Sequence, residues 1–462
     1  MYSLKLDKSV DAFPRWCFER NLAVITMILF FVDFAAFMFY KSDSLLSLII
    51  GYLFLLIINR VSTKAPVQFI TFCYFLIALI GIIVVLGLQT VYPSFYGMTD
   101  SSATGTDDLY FYVQAVMKTD NSLLGKLPNA RPDAYYREVH SYSNVLRIWN
   151  AIICKFVDVY PIDLLIFNYI GISIGCAEAT KLCFGITEDL KNSSKMLLLM
   201  LFCPFMLSSG LVLIRDAWVA TLFIIITERM WKEKYINALP AIGLLLYLRV
   251  GAILELLFLI WFIINAKSEK QTKRAYLILF LLVSAVVGVI FLRQYSDLFD
   301  YYFSQLNGLT RTGIISETAS DTRSVMYRLP SVLRIPLMTI LYIIMPTFNI
   351  GTFFKDGIFN IRNFIYTLFG LTNLYLLPNY INAVFYSFKY KEKTIRAFAV
   401  CFIVMMVIVS QIDQVARHKT AFVYLYYLVA VYGVSHSTST SKLVGKLSAV
   451  CLLAFYVFSF II

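Results

Sequence analysis

Apolar runs of membrane-entering length, separated by short polar and basic stretches, recur along this chain from end to end. The pattern predicts helices at about 21–40, 44–59 and 67–91, then at 163–184, 196–213, 217–231, 237–248, 251–266 and 275–292. Four more follow at about 364–386, 397–412, 420–435 and 447–462. Two segments interrupt the series. Residues 92–161 hold no apolar run of that length, and 293–362 form a second polar stretch. Within the latter, LPSVLRIPLMTILYIIMPTFNIG (329–351) is apolar over only part of its length and is bracketed by Pro330, Pro336 and Pro346. A full crossing there would put the basic loop KYKEKTIR (389–396) on the wrong side for the charge rule, so the segment reads as re-entrant or interfacial. The expected fold is all-α: a polytopic bundle of about thirteen spans in one membrane domain, 1–462, with short amphipathic helices in its outer loops. Neither a heptad repeat nor an internal duplication is evident.

Composition sharpens this. Of 462 residues, 60% are hydrophobic and only 15% charged, against roughly a quarter charged in a soluble protein. The net charge of +12 would suggest nucleic acid in a soluble chain. Here the cations sit in short loops: Lys5, Lys8, Arg15 and Arg20 before the first run, then Arg60 and Lys64, Lys191 and Lys195, Lys232 and Lys234, and KSEKQTKR at 267–274. That is the positive-inside pattern. It places the N-terminus in the cytoplasm and both polar segments outside, with the bilayer rather than nucleic acid as partner. The eight cysteines form no CxxC pair and read as small core residues. No small-residue cleavage site follows the first run, so it reads as a span rather than a removable signal. Phosphate-loop and dinucleotide fingerprints are absent, which argues against ATP-driven transport by this chain alone.

The charged residues on the outer side carry the candidate chemistry. In TGTDDLYFYVQ (104–114), Thr106 can cap a helix that opens with Asp107 and Asp108, and carboxylates suit a helix N-terminus. The same geometry would suit a base that takes a proton from an acceptor hydroxyl, or a ligand for a divalent metal ion. In SSGLVLIRDAW (208–218), Arg215 and Asp216 form either a local interfacial pair or an anion-binding arginine with its orienting acid. Arg249 stands between two apolar runs, where an anionic ligand or Glu255 would be its partner. Arg417, His418 and Lys419 run against the charge bias, which suggests phosphate recognition or a plain juxtamembrane cluster. Arg328 and Arg334 flank the proline-bracketed segment as weaker candidates of the same kind. Flanking arms of about 12–18 residues give roughly 18–27 Å of helix, less than the roughly 30 Å of hydrocarbon. The hairpin tips are therefore expected in an outward-open cavity. His140 and His436 carry no such argument, and no two histidines have metal-ligand spacing.

An acid motif followed by aromatics in the first large outer loop (GTDDLYFYVQAV), the Arg-Asp tip and the proline-bracketed RLPSVLRIPLMTILYIIMPTF together resemble the polytopic glycosyltransferases of the GT-C class. They also resemble O-antigen and capsule polymerases of bacterial surface-polysaccharide clusters. The resemblance spans most of residues 90–425. It implies transfer of glycan from a polyprenyl-phosphate or -pyrophosphate carrier to a glycan acceptor, on the outer face of the bacterial inner membrane. Asp107 or Asp108 would then be the base. Arg215, Arg249, Arg417, Lys419 and Arg328 would hold the donor phosphate, with Asp216 orienting. No metal is required by these residues, and a chain-length regulator is a further candidate partner. Two features depart from the GT-C pattern: the acidic loop follows the third apolar run rather than the first, and no large soluble C-terminal domain is present. They favour a polysaccharide polymerase or a lipid-carrier glycosyltransferase over a protein-glycosylating enzyme. The alternatives are an enzyme adding a single sugar from polyprenyl phosphate, and a transporter or flippase of an anionic lipid-linked glycan.

Overall fold

The computed structural model describes residues 13–14, 20–40, 44–91, 115–116, 134–156, 158–211, 213–249, 251–267, 330–344, 354–355, 358–359, 361–412, 416–436, 438–440, 442–444, 446–447, 450 and 454. The apolar run expected at 275–292 and most of that at 447–462 lie outside the described residues. So do Asp107, Asp108 and Arg328. The described residues are essentially all helical; their β-structure is one antiparallel pair, Phe354–Lys355 with Ile358–Phe359. Among the described residues, four helices are long and apolar enough to cross a bilayer: Ser44–Thr63, Val67–Leu86, Pro161–Thr187 and Lys393–Ser410. The chain divides into two compact units, one made of residues 1–128, 140–248 and 349–369, the other of 129–139, 249–348 and 370–462.

In the first unit the helices are α1 (Arg20–Tyr40), α2 (Ser44–Ile58), α3 (Val67–Val91), α4 (Ala134–Ile153, from residue 140), α5 (Pro161–Thr187), α6 (Leu190–Leu201), α7 (Pro204–Leu211), α8 (Asp216–Trp231) and α9 (Tyr235–Leu248). Helix α5 is the hub. It packs against α2, α3, α6, α7 and α8, and the whole of its apolar window is buried. Its start is set by Pro161, whose missing N–H costs nothing in the first turn, and by the Asp163 carboxylate, which accepts the Tyr160 N–H at 2.8 Å. Its end is Glu188, in the left-handed conformation at φ 51°, donating to the Phe184 carbonyl. Gly171 and Gly175, four apart on one face, let α8 approach closely: a Cβ on Gly171 would stand 2.9 Å from the Trp218 indole, and one on Gly175 2.8 Å from Thr221 Oγ1. The Thr221 hydroxyl donates to the Gly171 carbonyl at 2.8 Å across that contact.

The single arm expected at 196–213 is instead two helices, α6 and α7. Pro204 cannot continue α6 because it has no N–H, and it restricts Cys203 before it to extended backbone. Helix α2 ends in a π-turn, Asn59–Thr63, closed by the Lys64 N–H on the Asn59 carbonyl at 2.6 Å. The Asn59 side chain then pairs with both backbone groups of Ala65 and hands the chain to α3. Inside α1, Asp33 is buried and accepts a hydrogen bond from Ser44.

The second unit holds α10 (Ala252–Lys267), α11 (Ser331–Ile344), most of α12 (Ile361–Lys389), α13 (Lys393–Ile412), a 3-10 turn (Ala416–Ala421) and α14 (Val423–Ser435). Helices α10, α11 and α14 all pack against α13. Buried tyrosines join the helices while satisfying their own hydroxyls: Tyr380 donates to Ala399 O at 2.8 Å and Tyr426 to Asn373 O at 2.7 Å, with the two rings stacked 5.0 Å apart. Helix α11 is the proline-bracketed segment. Its 14 residues make about 21 Å of helix, shorter than the hydrocarbon core.

Candidate functional site

A crevice of about 1090 Å³ runs through the first unit between α2, α4, α5, α8 and α9. Its walls follow helical spacing. Helix α8 contributes Trp218, Leu222, Ile225, Arg229 and Lys232, and α9 contributes Pro240, Ala241, Leu244 and Leu248. From Trp218 to Lys232 this face spans roughly 21 Å at 1.5 Å per residue. The walls are apolar for most of that depth. One end carries two tryptophans, Trp149 and Trp218; the other carries Lys64, Lys181, Arg229, Lys232 and Lys234.

The basic end is organised by a buried ion cluster. Glu178 and Lys181 sit one turn apart on α5, Glu228 and Arg229 side by side on α8, and Lys232 one turn further on. Glu178 bonds Lys181 at 3.1 Å and Arg229 at 3.1 Å. Glu228 bonds Arg229 at 2.7 Å and Lys232 at 2.6 Å, with Lys181 at 3.8 Å. The two inner cations also reach the π-turn of α2: Lys181 Nζ donates to Thr63 O and Arg229 Nη2 to Ser62 O, each at 2.6 Å. Carbonyls at a helix end lack partners within the helix and carry partial negative charge, so cations belong there. The cluster thus ties three helices together. Charges so deep in apolar helices are costly unless paired, and commonly mark the path of a substrate or ion.

None of this was anticipated, because 163–184 and 217–231 read as plain apolar spans. The available signal was an acid and a lysine three apart (EATK, 178–181), followed by ER at 228–229, in helices whose other charged residues, Asp163 and Asp216, lie in the first turn.

At the other end of the crevice, Arg215 precedes α8 and donates from Nη1 to the carbonyl of Leu248, a crevice-lining residue, at 2.9 Å. Asp216 opens α8 and is 6% exposed. In the second unit Arg249 pairs with Glu255 at 3.7 Å, both side chains largely buried. Lys419 is 2% exposed, with its ammonium 4.4 Å from the centre of the Tyr342 ring. Burial pushes that ammonium well below the usual lysine range. Arg417 lies in the same 3-10 turn, and Arg334 on α11 is partly exposed. Among the described residues no group of three or more His, Cys, Asp or Glu is placed to hold a metal ion.

No protein-family model matches this chain, and no curated protein or solved structure does either.

Proposed function

We propose that this chain is a membrane glycosyltransferase of bacterial surface-polysaccharide assembly, most simply a polymerase joining repeat units carried on polyprenyl phosphate or pyrophosphate. The carrying observation is the crevice: apolar through most of a wall about 21 Å long, with the Arg215 guanidinium fixed beside its Trp218 and Leu248 end. Such a slot suits a long isoprenoid chain with a phosphate at its mouth. Under the positive-inside rule the Arg215 end faces outward and the Lys232 end faces the cytoplasm. In the reaction, an acceptor hydroxyl oxygen attacks the anomeric carbon of the donor. The bond from that carbon to the phosphate oxygen breaks, and the phosphate leaves with the electron pair. The hydroxyl proton passes to Asp107 or Asp108. Arginines near the phosphate stabilise the charge that builds on it in a low-dielectric site. The thirteen-span topology, the GT-C-like fold, the inner-membrane location and the glycan partners belong to the same proposal.

A second reading is a flippase for an anionic lipid-linked glycan. It is favoured by the cations at both ends of one crevice, which could receive the phosphate on either side of the membrane. Proteoliposomes carrying lipid-linked repeat units separate the two. The enzyme reading expects a ladder of longer glycans and release of the polyprenyl carrier. Movement of the glycan headgroup across the bilayer with no new glycosidic bond would replace it with the flippase.

A further inference from the structure

We propose that the basic end of the crevice binds the headgroup of an anionic phospholipid, with an acyl chain lying along the apolar wall. This headgroup site is at the opposite end of the crevice from Arg215, and the inference does not depend on the transferase reading. The charge balance points to an anion. In the buried cluster three cations, Lys181, Arg229 and Lys232, face two carboxylates, Glu178 and Glu228, leaving one positive charge. Lys64 and Lys234 line the same end and add two more. Glu233, between Lys232 and Lys234 in sequence, is not among the lining residues. The helix-end carbonyls that would repel an anion, those of Ser62 and Thr63, are already engaged by Arg229 and Lys181.

Access and shape favour a lipid over a free anion. Lys64 and Lys234 are exposed at the mouth, and the Lys232 side chain is 32% exposed. Lys64 is held there by the left-handed turn that closes α2, at φ 53°. Directly behind these lysines the walls turn apolar, with Ile58, Ile174, Ile225 and Ala241. A headgroup phosphate would meet three ammonium groups while its chain covers surface that water wets poorly. At about 1090 Å³ the crevice is at the upper limit for small-molecule pockets. The phospholipid would enter this slot from the lysine end, at the opposite end from Arg215.

The test is native mass spectrometry of the delipidated full-length protein, titrated with phosphatidylglycerol and with phosphatidylcholine of identical chains. The wild type should retain one phosphatidylglycerol on the order of a hundredfold more tightly than phosphatidylcholine, from the three lysines facing the added headgroup charge. Each lysine near an anionic headgroup contributes about a fivefold factor, so the Lys64→Gln/Lys232→Gln/Lys234→Gln variant should bind phosphatidylglycerol on the order of a hundredfold more weakly. The Lys64→Gln/Lys234→Gln variant leaves the ion cluster whole, so it keeps its fold, and should lose roughly thirtyfold. Phosphatidylcholine binding should not change in either. Equal retention of the two lipids, or unaltered phosphatidylglycerol binding in both variants, would overturn the proposal. Displacement of the lipid by millimolar inorganic phosphate would make this a soluble-anion site instead. Displacement by the lipid-linked glycan would assign the lysine end to the substrate, which overturns this inference but leaves the transferase reading intact.

Discussion

Replacing Glu178 with alanine will destabilise the purified protein by about 3–5 kcal/mol, seen as a marked fall in its thermal unfolding temperature in detergent. Glu178 is fully buried and its two oxygens bond Lys181 and Arg229, at 3.1 Å each. Removing the carboxylate leaves three cations facing Glu228 alone, inside predominantly apolar, buried helices. The loss is then the penalty of uncompensated buried charge, which exceeds the net worth of the pair. The double change Glu178→Met/Lys181→Met removes one charge of each sign and keeps the volume filled. It should therefore unfold at a higher temperature than Glu178→Ala, despite carrying two substitutions. If Glu178→Ala shifted stability by less than about 0.5 kcal/mol, as a surface change does, the cluster would not be holding α2, α5 and α8 together.

The second large effect concerns the acid pair. Asp107→Asn and Asp108→Asn will be expressed at wild-type levels, and one of them will lower chain elongation by about 10²–10⁴, the usual contribution of a general base. The amide keeps the size and much of the helix-capping capacity of the carboxylate but cannot take the hydroxyl proton. Elongation is read in membranes supplied with lipid-linked repeat units. Wild-type rates in both variants would remove the proposed base.

Apolar patterning made most of the helices legible. Val67–Val91 is helical over the run of apolar residues that predicts it, since nothing in that run breaks a helix. Pro204 splits the arm expected at 196–213, a break that proline chemistry could have announced. Helix α4 was hidden in a segment read as having no span. It is amphipathic, alternating buried positions such as Tyr142, Leu146 and Trp149 with polar ones, so its average hydropathy is low. The ion cluster was hidden for another reason. Glu178 and Arg229 are 51 residues apart and meet only because Gly171 and Gly175 bring α5 and α8 together. A contact between distant positions leaves no local pattern. The reading of Arg215 had the opposite fate: its place at a hairpin tip was visible, while its partner, the Leu248 carbonyl, needed the folded chain.

The central claim is that the lipid carrier of the donor lies in the crevice. Leu244, on α9, lines it and is 38% exposed, whereas Leu239 on the same helix is 50% exposed and does not line it. With p-benzoylphenylalanine at each position in turn, illumination in membranes containing labelled polyprenyl-phosphate-linked glycan should join the lipid to the protein at 244 and not at 239. Excess unlabelled carrier should suppress that adduct. Equal labelling at both positions, or none at 244 in a protein that still elongates glycan, would contradict the account.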